Sequence, residues 1–150
     1  MRAIRVATRV PMAQEDVYDF LEVTANHERF TDHMMVDWQL SGPDRGVGSK
    51  VTVKPTSGPP DPIEIEVIEA ERPARIVERG VGAKGARETS GTYTLKQLPG
   101  GGTEITFELS WKRAPIVERL AHPMVRTMMQ RENKRALERL AVLLSERAAG

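Results

Sequence analysis

The last third of the chain carries one long apolar stripe at helical spacing, and this feature limits the fold more than any other. Apolar residues recur three or four positions apart from Ile116 to Leu144, which predicts an amphipathic helix with one buried face. Pro115 suits the first turn of such a helix. Pro123 removes a backbone donor and clashes with the preceding turn, so we expect a break or kink there. The stripe therefore predicts a short lead-in helix followed by a longer one.

Seven segments upstream of this stripe alternate between apolar and polar residues, or carry a weaker form of that pattern, as half-buried strands do. They cover residues 4–10, 36–40, 50–54, 63–67, 75–79, 88–98 and 103–111. After the first segment, Val17, Phe20 and Leu21 share one helical face. A second short helix is expected over about residues 25–31.

The connections between the strands are rich in turn-forming residues. A proline-rich loop covers residues 55–62, and a glycine-rich loop that we expect to be flexible covers residues 80–85. Residues 99–102 (PGGG) are typical of a hairpin turn. Strands joined in this way favour an antiparallel sheet. Among the predicted elements, the terminal helix is the one long enough to cover a face of that sheet.

These elements predict a single α+β domain spanning residues 1–150. A curved antiparallel sheet would wrap round the long helix, and two short helices after the first strand would close one end. A strongly curved sheet leaves space where it diverges from the helix. We therefore expect an apolar cavity there.

Composition and charge restrict the classes of function. The 22 basic and 21 acidic residues are interleaved, which argues against a nucleic-acid surface. Without cysteine there is no disulfide framework and no thiolate chemistry. No apolar run approaches the roughly 20 residues of a membrane span, and nothing near Met1 resembles a signal peptide. We expect a soluble cytoplasmic monomer or homodimer with no integral membrane segment, no metal and no cofactor.

Short motifs along nearly the whole chain occur in a characteristic order. They are residues 10–11 (VP), 16–21 (DVYDFL), 46–48 (GVG), 69–73 (EAERP), 91–95 (GTYTL), 102–107 (GTEITF), 131–133 (REN) and 136–140 (ALERL). Together they resemble the START-like, or polyketide cyclase/dehydrase and lipid transport (SRPBCC), superfamily. The resemblance implies the helix-grip (Bet v 1-like) fold and the binding of lipids, sterols, polyketides or hormones, with catalysis in some members. The chain departs from the pattern at Phe30, where tryptophan is often found, and in its proline-rich loop, which could reshape the cavity mouth.

One set of residues is expected to line the cavity. Strand alternation and the helical stripe select these positions, which are Phe20, Phe30, Trp38, Val53, Ile65, Tyr93, Phe107, Leu109, Trp111, Met124 and Met128. The tyrosine hydroxyl and the indole nitrogens would provide the few hydrogen bonds that orient a ligand in such a site. The alternative is plain core packing with these polar atoms satisfied internally.

Methionines gather in two segments that we expect to meet at the cavity. They are Met34 and Met35 after the short helices, and Met124, Met128 and Met129 after Pro123. Methionine adapts to irregular shapes and suits surfaces that accept variable ligands, although it also fills gaps in ordinary cores. We favour the ligand-binding interpretation.

His27, Asp32 and His33 form a metal-like constellation, but one helical turn cannot bring all three side chains together. We interpret them as a surface helix end. His122, beside Pro123, is interpreted as structural.

Glu132 and Asn133 lie where an aliphatic residue is expected in the stripe. A buried carboxylate there would suit general acid or base catalysis. A slight rotation of the helix would instead place both side chains in water. The charged Lys134 and Arg135 that follow favour this second interpretation.

Three functions remain open from the sequence. The leading hypothesis is binding, transport or sequestration of a small hydrophobic ligand such as a lipid, polyketide or quinone-like molecule. The rival is a polyketide cyclase or dehydratase that uses polar residues of the pocket as acid and base. The third is a protein-interaction module, which would need an exposed apolar patch.

Overall fold

The computed structural model describes residues 1–149 and contains a seven-stranded antiparallel sheet. Its strands are β1 Ile4–Val10, β2 Met35–Ser41, β3 Lys50–Pro55, β4 Ile63–Glu71, β5 Arg75–Gly82, β6 Arg87–Gln97 and β7 Thr103–Arg113. They lie in the order β1-β7-β6-β5-β4-β3-β2, so the first and last strands of the chain are neighbours. The predicted sheet is confirmed.

Helical segments follow β1 and β7, and a short one joins β5 to β6. They are α1 Gln14–Glu22, a 3₁₀ turn Thr24–His27, α2 Glu28–Thr31, a 3₁₀ turn Ala83–Gly85, α3 Ile116–Leu120 and α4 His122–Ala149. The helix predicted at residues 25–31 is thus a 3₁₀ turn that runs into α2. No helix within residues 1–149 is both long and apolar enough to cross a membrane.

The terminal stripe forms two helices, as its proline predicted. Ala121, between α3 and α4, has φ −93° and ψ 12°, and the regular helix is interrupted there. Pro123 lies in the first turn of α4, where a missing backbone donor breaks no helical hydrogen bond. The break therefore precedes the proline.

The expected end of β5 was wrong. We predicted a strand over residues 75–79 and a loop over 80–85, but β5 continues to Gly82 because Gly80 and Gly82 pair with Thr89 and Arg87 on β6. Glycine weakens a strand but does not end it when the neighbouring strand continues the ladder. The turn is confined to residues 83–85, all of which have positive φ.

Three rows of paired residues run across the inner face of the sheet, the face that the helices cover. Directly paired residues of antiparallel strands share a face. The lower row is Val6, Phe107, Tyr93 and Ile76; the middle row is Ile4, Leu109, Gly91, Glu78 and Val67; the upper row is Trp111, Thr89, Gly80, Ile65 and Val51.

The long helix α4 covers this face with its C-terminal half. Its buried residues include Ala136, Leu137, Leu140 and Leu144, which join a core with the predicted face of α1. Its N-terminal half lies along β1, where the Arg126 guanidinium donates to the Ala3 carbonyl and the Gln130 amide donates to the Arg5 carbonyl. The structure is therefore the helix-grip arrangement of a long helix against a curved sheet.

Candidate functional site

Glu78 places a carboxyl group on the inner face of the sheet, in the middle row. It lies between Val67 on β4 and Gly91 on β6, and its side chain is 12% exposed. Gly91 contributes no side chain, and a Cβ added there would meet the Phe107 ring at 3.0 Å. The glycine therefore gives Phe107 and Glu78 the space they occupy.

His27 faces this carboxyl from the 3₁₀ turn before α2. Its Nε2 lies 2.7 Å from the Leu21 carbonyl oxygen, and its Nδ1 lies 3.7 Å from Oε2 of Glu78. Because a carbonyl oxygen only accepts, Nε2 carries a hydrogen. The 3.7 Å between Nδ1 and the carboxyl is too long for a direct hydrogen bond. The interpretation of His27 as a surface residue was wrong, since the ring is buried under the sheet.

Tyr93 completes this group of polar side chains, which we call the Glu78 cluster (Glu78, His27 and Tyr93). The Tyr93 ring lies edge-on to His27 at 5.5 Å and against Phe107 at 4.7 Å between centroids. On its other side His27 contacts the Phe30 ring at 5.2 Å. The cluster is therefore enclosed by aromatic rings.

This enclosure changes the acidity of two groups. Burial raises the pKa of the Glu78 carboxyl, and the nearby His27 opposes part of that rise. Burial also raises the pKa of the Tyr93 hydroxyl, and the negative charge of Glu78 raises it further. At neutral pH the hydroxyl keeps its proton, so it can donate a hydrogen bond.

A second polar feature lies near the upper row. The His122 ring stands edge-on to Trp111 at 5.3 Å. Both its ring nitrogens are buried without a hydrogen-bond partner among residues 1–149. An imidazole has at least one N–H to donate, and buried polar groups are normally paired. The structural role that we expected for His122 does not account for these nitrogens.

Two contacts join α3 and the N-terminal half of α4 to other segments of the chain. Arg87 on β6 binds Glu118 on α3 through two hydrogen bonds, one of 2.9 Å from Nε to Oε2 and a shorter one from the terminal nitrogen. The proline-rich loop reaches α4, where the Ser57 hydroxyl lies 3.9 Å from the Met128 sulfur. The loop therefore lies against the N-terminal half of α4.

The structure brings most of the predicted lining residues together. Those within the main core or packed against it are Phe20, Phe30, Tyr93, Phe107, Leu109 and Trp111. Val53 is buried and Ile65 half-buried on the neighbouring strands, and Met128 lies beneath the proline-rich loop.

Two predicted lining residues lie elsewhere. Trp38 is on the edge strand β2, where its indole donates to the Met35 carbonyl at 3.1 Å and borders an open depression of about 310 Å³. Met124, in the first turn of α4, is 77% exposed. Of the five clustered methionines, Met34 and Met129 are the ones that pack against the core.

The remaining sequence candidates serve structural contacts. The Glu132 carboxylate lies 3.6 Å from Nε2 of His33, and Arg139 of α4 donates to Nδ1 of His33 and binds Asp32. Since His27 faces Glu78 instead, the two histidines and Asp32 do not converge. Asn133 is buried and donates to the Met129 carbonyl, so the expectation that it faces water was wrong.

Two open depressions of the surface lie outside this site. The larger, of about 400 Å³, follows the outer side of the last turns of α4 near Val142 and Ser145. The second is the one at Trp38, on the edge of the sheet. The Glu78 cluster itself is packed among side chains of the core.

Glu78 had a signal in the sequence that we did not use. The alternation that places Ile76 on the inner face also places Glu78 there, two residues later. His122 had none, because an unpaired nitrogen is visible only once its neighbours are known.

Solved structures with the same fold are numerous, although their sequences differ widely. The protein TTHA0849 from Thermus thermophilus has a TM-score of 0.74 at 17% identity, and the match covers 99% of this chain and 100% of TTHA0849. The hypothetical protein jhp0584 from Helicobacter pylori has a TM-score of 0.76 at 15% identity, and the match covers 95% of this chain and 88% of jhp0584. DynU16, from the dynemicin biosynthetic locus, has a TM-score of 0.66 at 21% identity, and the match covers 95% of this chain and 46% of DynU16. At these identities the likeness shows the fold alone.

The sequence itself carries the family assignment. None of the curated proteins compared with the chain matches it. A family model described as polyketide cyclase / dehydrase and lipid transport matches residues 1–145, nearly the whole chain. The chain therefore belongs to the polyketide cyclase/dehydrase and lipid transport family.

Proposed function

We propose that this protein binds a small, mainly apolar molecule in the cytoplasm, between the inner face of the sheet and α4. The molecule would carry a hydroxyl or carbonyl group that meets the Glu78 cluster. The observation that carries this proposal is the burial of Glu78, His27 and Tyr93 together among aromatic rings.

The energetic argument starts from the cost of these polar groups. Burying a carboxyl without a full set of hydrogen bonds lowers stability, whereas an aliphatic side chain at the same position would raise it. Perturbed titratable groups of this kind gather at functional sites. A ligand would gain roughly 25 cal/mol for each Å² of apolar surface buried, and the cluster would orient its polar group.

The family supports the same chemical class. Its description names polyketides and lipids, both of which combine large apolar surfaces with a few oxygen atoms. DynU16, with the same fold, comes from a biosynthetic locus. The unpaired nitrogens of His122 would give such a ligand a second polar contact, near the upper row.

Native mass spectrometry of protein purified from its own host without detergent tests the proposal. We expect a bound molecule that is released on denaturation and extracts into organic solvent. The variant Tyr93→Phe removes one donor from the cluster and should weaken rebinding of the extracted molecule about five- to tenfold.

Tyr18→Phe is the matched control. The Tyr18 hydroxyl lies near Glu22 and Arg72 on α1 and the β4–β5 turn, away from the cluster. A protein that carries no molecule and binds no apolar probe, or equal losses in the two variants, would contradict the proposal.

One observation favours a second function, that of a proton-transfer enzyme. The Glu78 carboxyl, buried 3.7 Å from Nδ1 of His27, would give a proton to, or take one from, a bound hydroxyketone. Elimination of water from a polyketide-like β-hydroxyketone, followed by absorbance, tests this. We expect Glu78→Gln to slow turnover about 100-fold and the exposed Glu71→Gln to leave it unchanged; equal rates would exclude this role for Glu78.

A further inference from the structure

Large apolar side chains are exposed together on α3 and the first turn of α4. The exposed fractions are 65% for Ile116, 76% for Val117, 82% for Leu120 and 77% for Met124. A helix at the surface of a soluble domain normally turns such residues inward. We call these four residues the α3 patch.

The orientation of α3 is held by an ion pair. Glu118 lies on the side of the helix opposite Val117 and Leu120, and it binds the inward-facing Arg87 of β6. Both partners of this pair are mostly buried. The polar side of α3 is therefore fixed toward the protein and its apolar side toward the exterior.

Basic residues lie within α3 and shortly before it in the chain. Lys112 and Arg119 are exposed, and within residues 1–149 neither forms an ion pair. The nearby acids are already neutralised, since Glu118 binds Arg87 and Glu88 binds Arg113. The helix that exposes these apolar residues therefore carries the cation Arg119, with Lys112 just before it in the chain, and neither is paired with an acid within residues 1–149.

We propose that the α3 patch docks on an anionic lipid membrane surface. Apolar side chains that enter the headgroup region, with basic residues beside them, are the pattern of helices that lie in a membrane interface. A stable protein interface needs about 20–30 residues on each side, far more than these four. The proposal rests on the exposed residues alone and does not depend on a bound ligand.

Vesicle cosedimentation tests this proposal on the full chain. We expect binding to vesicles of phosphatidylcholine with phosphatidylglycerol, weaker binding to phosphatidylcholine alone, and weaker binding when salt is added. The double variant Val117→Ser/Leu120→Ser should bind at least about tenfold more weakly, the loss expected for one leucine that no longer enters the membrane.

Val142→Ser is the matched control, because Val142 is an exposed aliphatic residue, 59% exposed, on a distant turn of α4. It should bind like the unaltered protein. Absence of binding to either vesicle, or equal binding by the double variant, would overturn the proposal. A concentration-dependent dimer in sedimentation velocity that the double variant abolishes would assign the patch to a second copy of the chain and would also overturn it.

Discussion

Glu78 is the residue where stability and function conflict most clearly. Its neighbours in the middle row are aliphatic or glycine, and its carboxyl approaches His27 without reaching hydrogen-bond distance. A buried carboxyl in such a place favours its neutral form. The fold tolerates this cost because the surrounding rows are well packed.

The pH dependence of stability follows from this carboxyl. Its pKa in the folded protein is raised above the ordinary 4.5, so the folded state holds the proton more tightly than the unfolded state does. The contribution of the Glu78 carboxyl to the free energy of unfolding is most favourable below its ordinary pKa. This contribution is lost as pH rises through the raised pKa of the folded state. Glu78→Gln should therefore be more stable than the unaltered protein at about pH 8 and similar to it near pH 4.

Urea unfolding at the two pH values measures this difference. Glu71→Gln, an exposed carboxyl at the end of β4, should show no such pH-dependent gain. If Glu78→Gln were less stable at both pH values, the carboxyl would be making a stabilising contact instead.

Residues were harder to assign from the sequence than elements were. The buried faces of α1 and β6 followed from periodicity, and Tyr93 and Phe107 lie together as the alternation required. His27 could not be assigned, because its burial depends on the β5 strand folding over a short 3₁₀ turn. A contact between residues so far apart in the chain cannot be predicted from the spacing of nearby residues.

Among the elements, α3 depends most on a single contact. It has five residues, too few to be stable alone, and the pair between Glu118 and Arg87 ties it to β6. The pair is largely removed from water, so it is less screened than surface ion pairs are. Its loss should release α3 while the sheet remains intact.

Glu118→Gln tests this dependence. We expect a local loss of roughly 1 kcal/mol, seen as faster amide hydrogen exchange over residues 116–121 and as easier quenching of Trp111 fluorescence by acrylamide. The exposed Glu138→Gln on α4 should change neither. Unaltered exchange in Glu118→Gln would show that packing, and not the ion pair, holds α3.

Element boundaries show what the sequence could and could not predict. The proline at 123 correctly indicated two terminal helices, because its backbone constraint is local. The glycines at 80 and 82 led to the wrong prediction of a loop, because pairing with β6 keeps these residues in β5. The outward face of α3 was unpredictable from the stripe, which gives the same spacing for a buried face and an exposed one.

Across the whole molecule, the two halves of α4 are packed differently. The C-terminal half buries Leu137, Leu140 and Leu144 in the main core. The N-terminal half meets the sheet through half-buried groups such as Met129 and His122, beside Trp111. With this division, side chains of the N-terminal half would change position on binding of the proposed ligand while the core at the C-terminal half stays packed.

Two substitutions on α4 separate these roles. Leu140→Ala opens a cavity in the packed core and should lower the free energy of unfolding by about 2–5 kcal/mol. Met129→Ala removes a partly exposed side chain and should cost about 1–2 kcal/mol, yet it should change the affinity for an apolar probe such as cis-parinaric acid several-fold. Urea unfolding and fluorescence titration of the same samples compare the two effects. Equal destabilisation with unchanged probe affinity would mean that the whole length of α4 is ordinary core, and the ligand site would have to lie elsewhere on the sheet.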